Sequence, residues 1–283
     1  MKSTKKSKQP KKITILYSGG LDSFIMAKLA QDKYPDVELN LVHYDIGQPY
    51  NEKEMKAIQA SKIPVEIRKI DWLKSESDLK SKGDNAAGNV MIPGRNLALA
   101  TNAASAFLPD EVWMGGLKGE DNKGATDKNK KFIKLTNKVW SYVYSPYERV
   151  PKLVFPLVDQ KWGKFEAVEW VYKNKLATAE EILQTSSCLS GEPGNCGECI
   201  VCFRRKYIFS QLGFSEEYNK DPLTITNINM VLEMLENEKE DDQSEVHYDK
   251  YRRREIIPGL VDELGCKKKN LGKVLKKMKA QDV

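Results

Sequence analysis

The chain has 283 residues, 30% of them charged and 40% hydrophobic, enough to bury one good core, and no apolar run approaches the roughly 20 residues of a membrane span. The net charge of +6 is concentrated at the ends: residues 1–12 hold six lysines and residues 267–279 seven, with no acid in either, and removing these thirteen charges leaves the body at −7. That argues against a broad basic face on the folded body; the ends read as solvated tails or as flexible contacts for RNA, DNA or an acidic partner.

Met1 to Lys12 carries lysine and serine without an apolar stretch, so a disordered basic tail is expected there rather than a secretory signal. The run Ile13-Thr14-Ile15-Leu16-Tyr17 then reads as a strand, and it leads into Ser18-Gly19-Gly20-Leu21-Asp22-Ser23 and a helical pattern at Phe24, Ile25, Ala27 and Leu29. Strand, glycines and helix start together make a phosphate cradle. Glycines let backbone N–H groups approach an anion, and the new helix adds its positive end. Ser18 and Ser23 offer hydroxyl donors, and Asp22 is placed to hold Mg²⁺ or to cap the helix. The plain alternative is a glycine-rich turn with Asp22 or Ser23 as N-cap. The Gly-Lys-Ser/Thr ending of a Walker loop is missing, which argues against a P-loop kinase or GTPase.

Val37–His43 reads as a second strand ending in Tyr44-Asp45-Ile46-Gly47-Gln48, and Asn51 with Glu54 has the pattern of a capping box for a helix to about Ser61. Val65–Ile70 alternates as a third strand, and residues 74–90 have the composition of a mobile loop. Arg95–Phe107 is helical, Glu111–Met114 a short strand before Gly115-Gly116, Asp127–Tyr144 largely helical, Leu153–Leu157 apolar, and Lys164–Lys173 helical again. Repeated strand-then-helix units predict an α/β fold, a parallel sheet with helices on both faces, whose ligands bind beyond the carboxyl ends of the strands. After about Gly213 the charged sequence predicts a helical or partly disordered extension.

Four of the five cysteines, Cys188, Cys196, Cys199 and Cys202, fall within fifteen residues. Cys196-Gly197-Glu198-Cys199 has the spacing of a zinc knuckle, and four thiolates suit a closed, structural Zn²⁺ site. Two disulfides or an iron–sulfur cluster remain alternatives. Cys266 reads as a free thiol. Arg204 and Arg205, just past the last ligand, are either held near an anionic substrate or part of a solvated helix face.

The loop Ser18–Ser23 resembles the SGGxDS loop of the PP-loop ATP pyrophosphatases. Further strings follow in the order of one family. Asp45-Ile46-Gly47-Gln48 resembles its D-Y-G-Q, Ile92-Pro93-Gly94-Arg95-Asn96 its V-P-A-R-N, and Gly116 with Glu120-Asp121 its G-x-x-x-E-D. Phe155-Pro156-Leu157 followed by Lys164-x-Glu166 is similar to its A-P-L…K-x-E, and the four cysteines close the match. The chain thus resembles the QueC family, the 7-cyano-7-deazaguanine synthases, from about Ile13 to Phe209.

The resemblance implies a PP-loop fold of adenine nucleotide alpha hydrolase type with ATP, Mg²⁺ and Zn²⁺ as cofactors. The implied reaction converts 7-carboxy-7-deazaguanine and ammonia to an amide and then a nitrile. It implies ATP binding by Tyr17, Ser18, Gly19, Gly20, Leu21, Asp22 and Ser23, catalysis by Asp22, Arg95 and Lys164, and substrate contacts from Gln48, Asn96, Glu120, Asp121 and Asp127. Asn96 is alternatively a helix cap. The expected organisation is a tail over residues 1–12, a synthase domain over 13–213 with a zinc segment at 186–204, and an extension over 214–283, in a cytoplasmic homodimer. The chain departs from the pattern at Lys118, for an expected asparagine, and at residues 123–129, where S-G-Y-P-D-C-R is replaced by Lys-Gly-Ala-Thr-Asp-Lys-Asn. Those departures motivate an alternative in which the reaction stops at the amide or joins the deazaguanine to a macromolecule. Other PP-loop chemistry is a further alternative, although tRNA thiolation lacks a cysteine before Cys188. A non-catalytic nucleotide- or nucleic-acid-binding scaffold is the last.

Overall fold

The computed structural model describes residues 9–74, 92, 94–118, 120, 127–237 and 247–281. Five parallel strands form one sheet: β1 (Lys12–Leu16), β2 (Glu38–Asp45), β3 (Glu66–Lys69), β4 (Glu111–Trp113) and β5 (Lys152–Val154), in the order β3-β2-β1-β4-β5. Leu16 pairs with Val42 in register and Ile15 with Trp113, so β1 lies at the centre. The strand order reverses between β1 and β4, and the crevice beyond their carboxyl ends is where such sheets take ligands.

Side chains alternate across β1 and are buried on both faces, as a parallel sheet requires. Ile13 and Ile15 face α1 (Leu21–Lys33) and α7 (Lys164–Lys173), packing with Phe24, Ile25, Leu29, Val168 and Val171. On the other face Val42, Val112 and Leu153 pack with Ala100, Ala103 and Ala104 of α4 (Arg95–Phe107) and Trp140 of α5 (Lys130–Val143). The small alanines let α4 lie close to the sheet. Each fully buried large apolar side chain in these layers contributes about 1.5–3 kcal/mol.

Two helix starts differ from expectation. No capping box forms at α2 (Asn51–Ser61), because the Asn51 and Glu54 side chains turn instead to His43 and Gln48. α5 begins at Lys130 rather than Asp127, where Asn129 accepts the Phe132 N–H at 2.9 Å as N-cap. The apolar run at Leu153–Leu157 divides between β5 and the single turn α6 (Pro156–Asp159). The expected loop at 74–90 lies almost wholly outside the described residues, as do residues 1–8 of the tail.

Beyond α8 (Ala179–Leu183) and the cysteine segment runs α9 (Ile200–Gln211). The C-terminal part is helical in its described residues: α10 (Ile225–Asn237), α11 (His247–Glu263) and α12 (Leu271–Gln281). These helices share a core with α9, built on Phe203, Tyr207, Ile228, Val231, Ile256, Leu260, Leu271 and Leu275. Cys266 is a free thiol partly packed against it. Among the described residues no helix is long and apolar enough to cross a membrane.

Candidate active site

The loop after β1 is shaped by two glycines with different tasks. Gly19 has φ +71°, and a Cβ there would stand 2.8 Å from the Glu54 carbonyl oxygen, so the loop rests directly on α2. Gly20 is the N-cap of α1 and pairs with Ser186, whose N–H donates to Gly19 O at 3.0 Å. Neither Asp22 nor Ser23 caps the helix. The Ser23 hydroxyl donates to Gly20 O at 2.8 Å and accepts the Ser18 N–H at 3.3 Å, while Ser18 Oγ accepts the Gly20 N–H at 3.2 Å. These bonds brace the loop from inside. The first helical N–H group to reach back is Phe24, to Gly20 O at 3.0 Å, so the N–H groups of Leu21, Asp22 and Ser23 have no helical acceptor.

Asp22 lies in the first turn of α1 with Lys164 Nζ 3.3 Å from its Oδ1. That oxygen is buried yet takes no hydrogen bond of good geometry. A carboxylate oxygen with spare acceptor capacity, at a helix start open to phosphate, fits an oxygen-seeking Mg²⁺.

Asp22 opens onto a cavity of about 270 Å³ beside the ends of β1 and β2. Val42, Tyr44, Leu99 and Met114 supply apolar lining; Tyr17, Ser18, Ser23, Gln48, Arg95 and Asn96, all picked out by sequence, lie on it as well. Tyr17 is a wall residue: burial pushes its phenol up, against a hydrogen bond from Ser61. Asn96 is not the cap of α4, which is Gly94, and is itself buried on the cavity side. Arg95 lies near Tyr50, whose phenol is pushed up by burial and by Glu54 and held back by Arg95.

Among the lining residues that sequence reasoning did not mark as site residues are His43 and Glu54. His43 is buried on β2, with Nε2 3.0 Å from Asn51 Oδ1. Glu54 faces the cavity and accepts from Gln48 Nε2 at 2.6 Å. Burial pushes the Glu54 carboxyl up to about 7, reinforced by Asp45 and opposed by Gln48 and Arg95.

Of the acidic pair expected to read the substrate, Asp121 lies outside the described residues. Glu120 accepts from Leu117 N–H at 3.3 Å and from Lys128 Nζ at 3.4 Å. Burial pushes Glu120 up, but Lys128, Arg204, Lys164 and the Leu117 N–H outweigh it and hold the carboxyl below its usual range. Lys128 lines the cavity where its neighbour Asp127 does not, and two of the departures at 123–129 thus have physical roles, Lys128 in the site and Asn129 at the cap.

Arg204 and Arg205 are buried, so the solvated-face reading does not hold. Arg205 is structural: it binds Glu216, Thr185, Ser187 and the carbonyls of Ile182 and Leu183. Arg204 turns to Glu255 and shares the charged layer of Glu120 and Asp22.

The four clustered cysteines are free thiols, which removes the disulfide alternative. All four Sγ atoms lie within 4.8 Å of one another, and Cys196 and Cys202 Sγ are 3.9 Å apart, close to the edge of about 3.8 Å of a tetrahedron with 2.3 Å Zn–S bonds. N–H groups of Cys196 and Ser190 point at Cys188 Sγ, as does Lys53 Nζ at 3.3 Å. The thiols of Cys199 and Cys202, ahead of these N–H groups, hold the Cys188 thiol far below its ordinary range. Such a donor set fits zinc. Gly197, φ +82°, is required because a Cβ there would overlap the Lys220 carbonyl oxygen. Lys53, next to Glu54, and Ser186, against the Gly19–Gly20 backbone, join the cysteine segment to the site.

A family model for queuosine biosynthesis protein QueC matches residues 12–213. The 7-cyano-7-deazaguanine synthase of Methanosarcina barkeri is 28% identical over 242 residues, covering 75% of this chain and 97% of its own length. That of Saccharolobus solfataricus is 26% identical over 236 residues, and the match takes in 74% of this chain but only 48% of the relative. A solved tRNA thiolase of Methanococcus maripaludis overlaps 96% of this chain and 74% of its own at 11% identity and a TM-score of 0.33, too slight a likeness to bear on the fold.

Proposed function

The chain belongs to the QueC family, and from that membership we propose that it adenylates the carboxylate of 7-carboxy-7-deazaguanine with ATP and passes it to ammonia. The products are the amide and then the nitrile, 7-cyano-7-deazaguanine, with AMP and pyrophosphate released. One observation carries this reading: the buried Asp22 Oδ1 with spare acceptor capacity, at the head of a helix and beside Lys164, opening onto a cavity of about 270 Å³.

A carboxylate is a poor electrophile, and attack of its oxygen on the α-phosphorus of ATP makes AMP a leaving group. The N–H groups at Leu21–Ser23 receive the phosphates, and Lys164 and Arg95 offset the charge that develops there. Asp22 would hold Mg²⁺, which would supply Lewis-acid neutralisation of the phosphates. Tyr44, Leu99 and Met114 cover a flat heterocycle, while Gln48 and Asn96 meet its polar edge. Glu120 and Asp121 are assigned to the N–H donors of that edge, and Asp127 to the turn beside it. Glu54, whose carboxyl burial raises to about 7, takes the proton in its ionised form as ammonia attacks the acyl adenylate and AMP leaves. Repetition on the amide oxygen, with loss of AMP, leaves the nitrile.

The second reading, in which the deazaguanine stops at the amide or is joined to a macromolecular amine, is favoured by Lys128, which lines the cavity where the family has a cysteine. Incubation with ATP, Mg²⁺, ammonium and 7-carboxy-7-deazaguanine separates the two. AMP with a product lighter than the amide by one water supports the nitrile synthase, accumulation of the amide supports the second reading, and no substrate-dependent AMP defeats both.

A further inference from the structure

Glu255 on α11 is buried, at 1% exposure, and α11 lies wholly beyond residue 213, where the family match ends. Its two carboxylate oxygens do different things. Oε1 accepts the backbone N–H of Lys164 at 2.8 Å, and Oε2 accepts from Arg204 Nε at 2.8 Å and Nη2 at 2.7 Å. The backbone of Glu255 is fixed too, its carbonyl taking Gln211 Nε2 at 2.7 Å. A single carboxylate from the C-terminal helices thus clamps the start of α7 to α9.

Both clamped groups belong to the charged layer of the site. Lys164 is the first residue of α7, so its N–H has no helical acceptor, and a carboxylate there also suits the positive end of the helix. Fixing that N–H fixes the root of the side chain that reaches Asp22. Arg204 is buried within the field of Glu120 and Asp22. With Glu255 neutral, the Arg204 guanidinium would lose its charged partner and turn to those two acids, which the site needs for other work.

We propose that Glu255 is a positioning residue for the adenylation site: it sets Lys164 through the main chain and keeps Arg204 off Asp22 and Glu120. The helices beyond residue 213 therefore complete the site rather than decorate it. The inference rests on the ATP-adenylating reading for its effect on turnover, and on geometry alone for its hold on Lys164.

The test uses the full chain and three variants. E255Q removes the charge, E255D keeps it on a shorter arm, and L275A weakens the shared core without touching the clamp. Substrate-dependent AMP release and amide exchange at Lys164 are measured below the unfolding midpoint of each variant. The expected result for E255Q is a fall in kcat of roughly tenfold or more with the KM for ATP within about threefold, and Lys164 exchange accelerated to a similar degree. L275A is expected to lower the midpoint while leaving both readouts near wild type. Equal losses in E255Q and L275A, or a change in KM alone, overturn the proposal. If E255Q does not fold, E255D decides, since wild-type kcat and unchanged Lys164 exchange in that variant sink it. A wild-type chain that releases no AMP defeats the functional reading alone; the hold on Lys164 is then judged by exchange, and unchanged protection in E255Q refutes it.

Discussion

Replacing Glu54 by glutamine is expected to make the protein more stable at high pH and to change little at low pH. Burial raises the carboxyl from 4.5 to about 7 in the folded state. The folded protein therefore binds more protons than the unfolded chain between those values, and stability falls as pH rises through that window. Below about pH 4.5 the carboxyl is protonated in both states and carries no penalty; above pH 7 the full penalty stands. At 1.36 kcal/mol per pKa unit the difference amounts to about 3 kcal/mol, the net left after Gln48 and Arg95 have partly offset burial. E54Q keeps an acceptor oxygen for Gln48 Nε2 and removes the titration. Urea unfolding of wild type and E54Q at intervals from pH 4.5 to 8.5 measures this directly. The stability difference is expected to grow with pH by about 2–3 kcal/mol and to level off above pH 7. A difference that stays flat across the range would refute the assignment of a raised carboxyl at this position, and with it the proposed base.

Three further outcomes are expected. G19A forces a side chain into a left-handed backbone and against the Glu54 carbonyl, so it costs at least about 1–2 kcal/mol of unfolding free energy in urea titration and weakens ATP binding measured by calorimetry. The purified chain binds about one zinc ion, read by elemental analysis, and C199S loses it together with the order of the Ser186–Gly19 contact seen by amide exchange. N129A removes the cap of α5 and lowers stability by about 1 kcal/mol in thermal unfolding, without altering zinc content.

The parts of this fold that follow local rules were open to reading from the sequence. The Ile13–Tyr17 run into two glycines gave the central strand and its helix, the apolar spacing of Lys164–Lys173 gave α7 to the residue, and the cysteine spacing gave the cluster. Residues whose roles depend on distant partners were not open in the same way. Glu54 follows Asn51 by three positions and so has the pattern of a capping box; only the packing of α2 against the Gly19 turn directs its side chain into a cavity. His43 sits on a strand where burial is the ordinary outcome. Arg204 and Arg205 are adjacent in sequence, yet the helix sends one to Glu255 and the other to Glu216 and Thr185, a division set by the elements on either side of α9. Glu255 meets Lys164 across 91 positions, and nothing in the charged run around it, Arg252-Arg253-Arg254-Glu255, marks it as the buried member.

The central claim is that the substrate carboxylate attacks ATP in the site at Asp22 and Lys164. Its most direct test is to label the carboxylate of 7-carboxy-7-deazaguanine with oxygen-18 and to read the mass of the AMP formed with ammonium present. Adenylation transfers a carboxylate oxygen to the phosphoryl group, so the account predicts labelled AMP, lost in K164A. Unlabelled AMP, or ADP in its place, would contradict it.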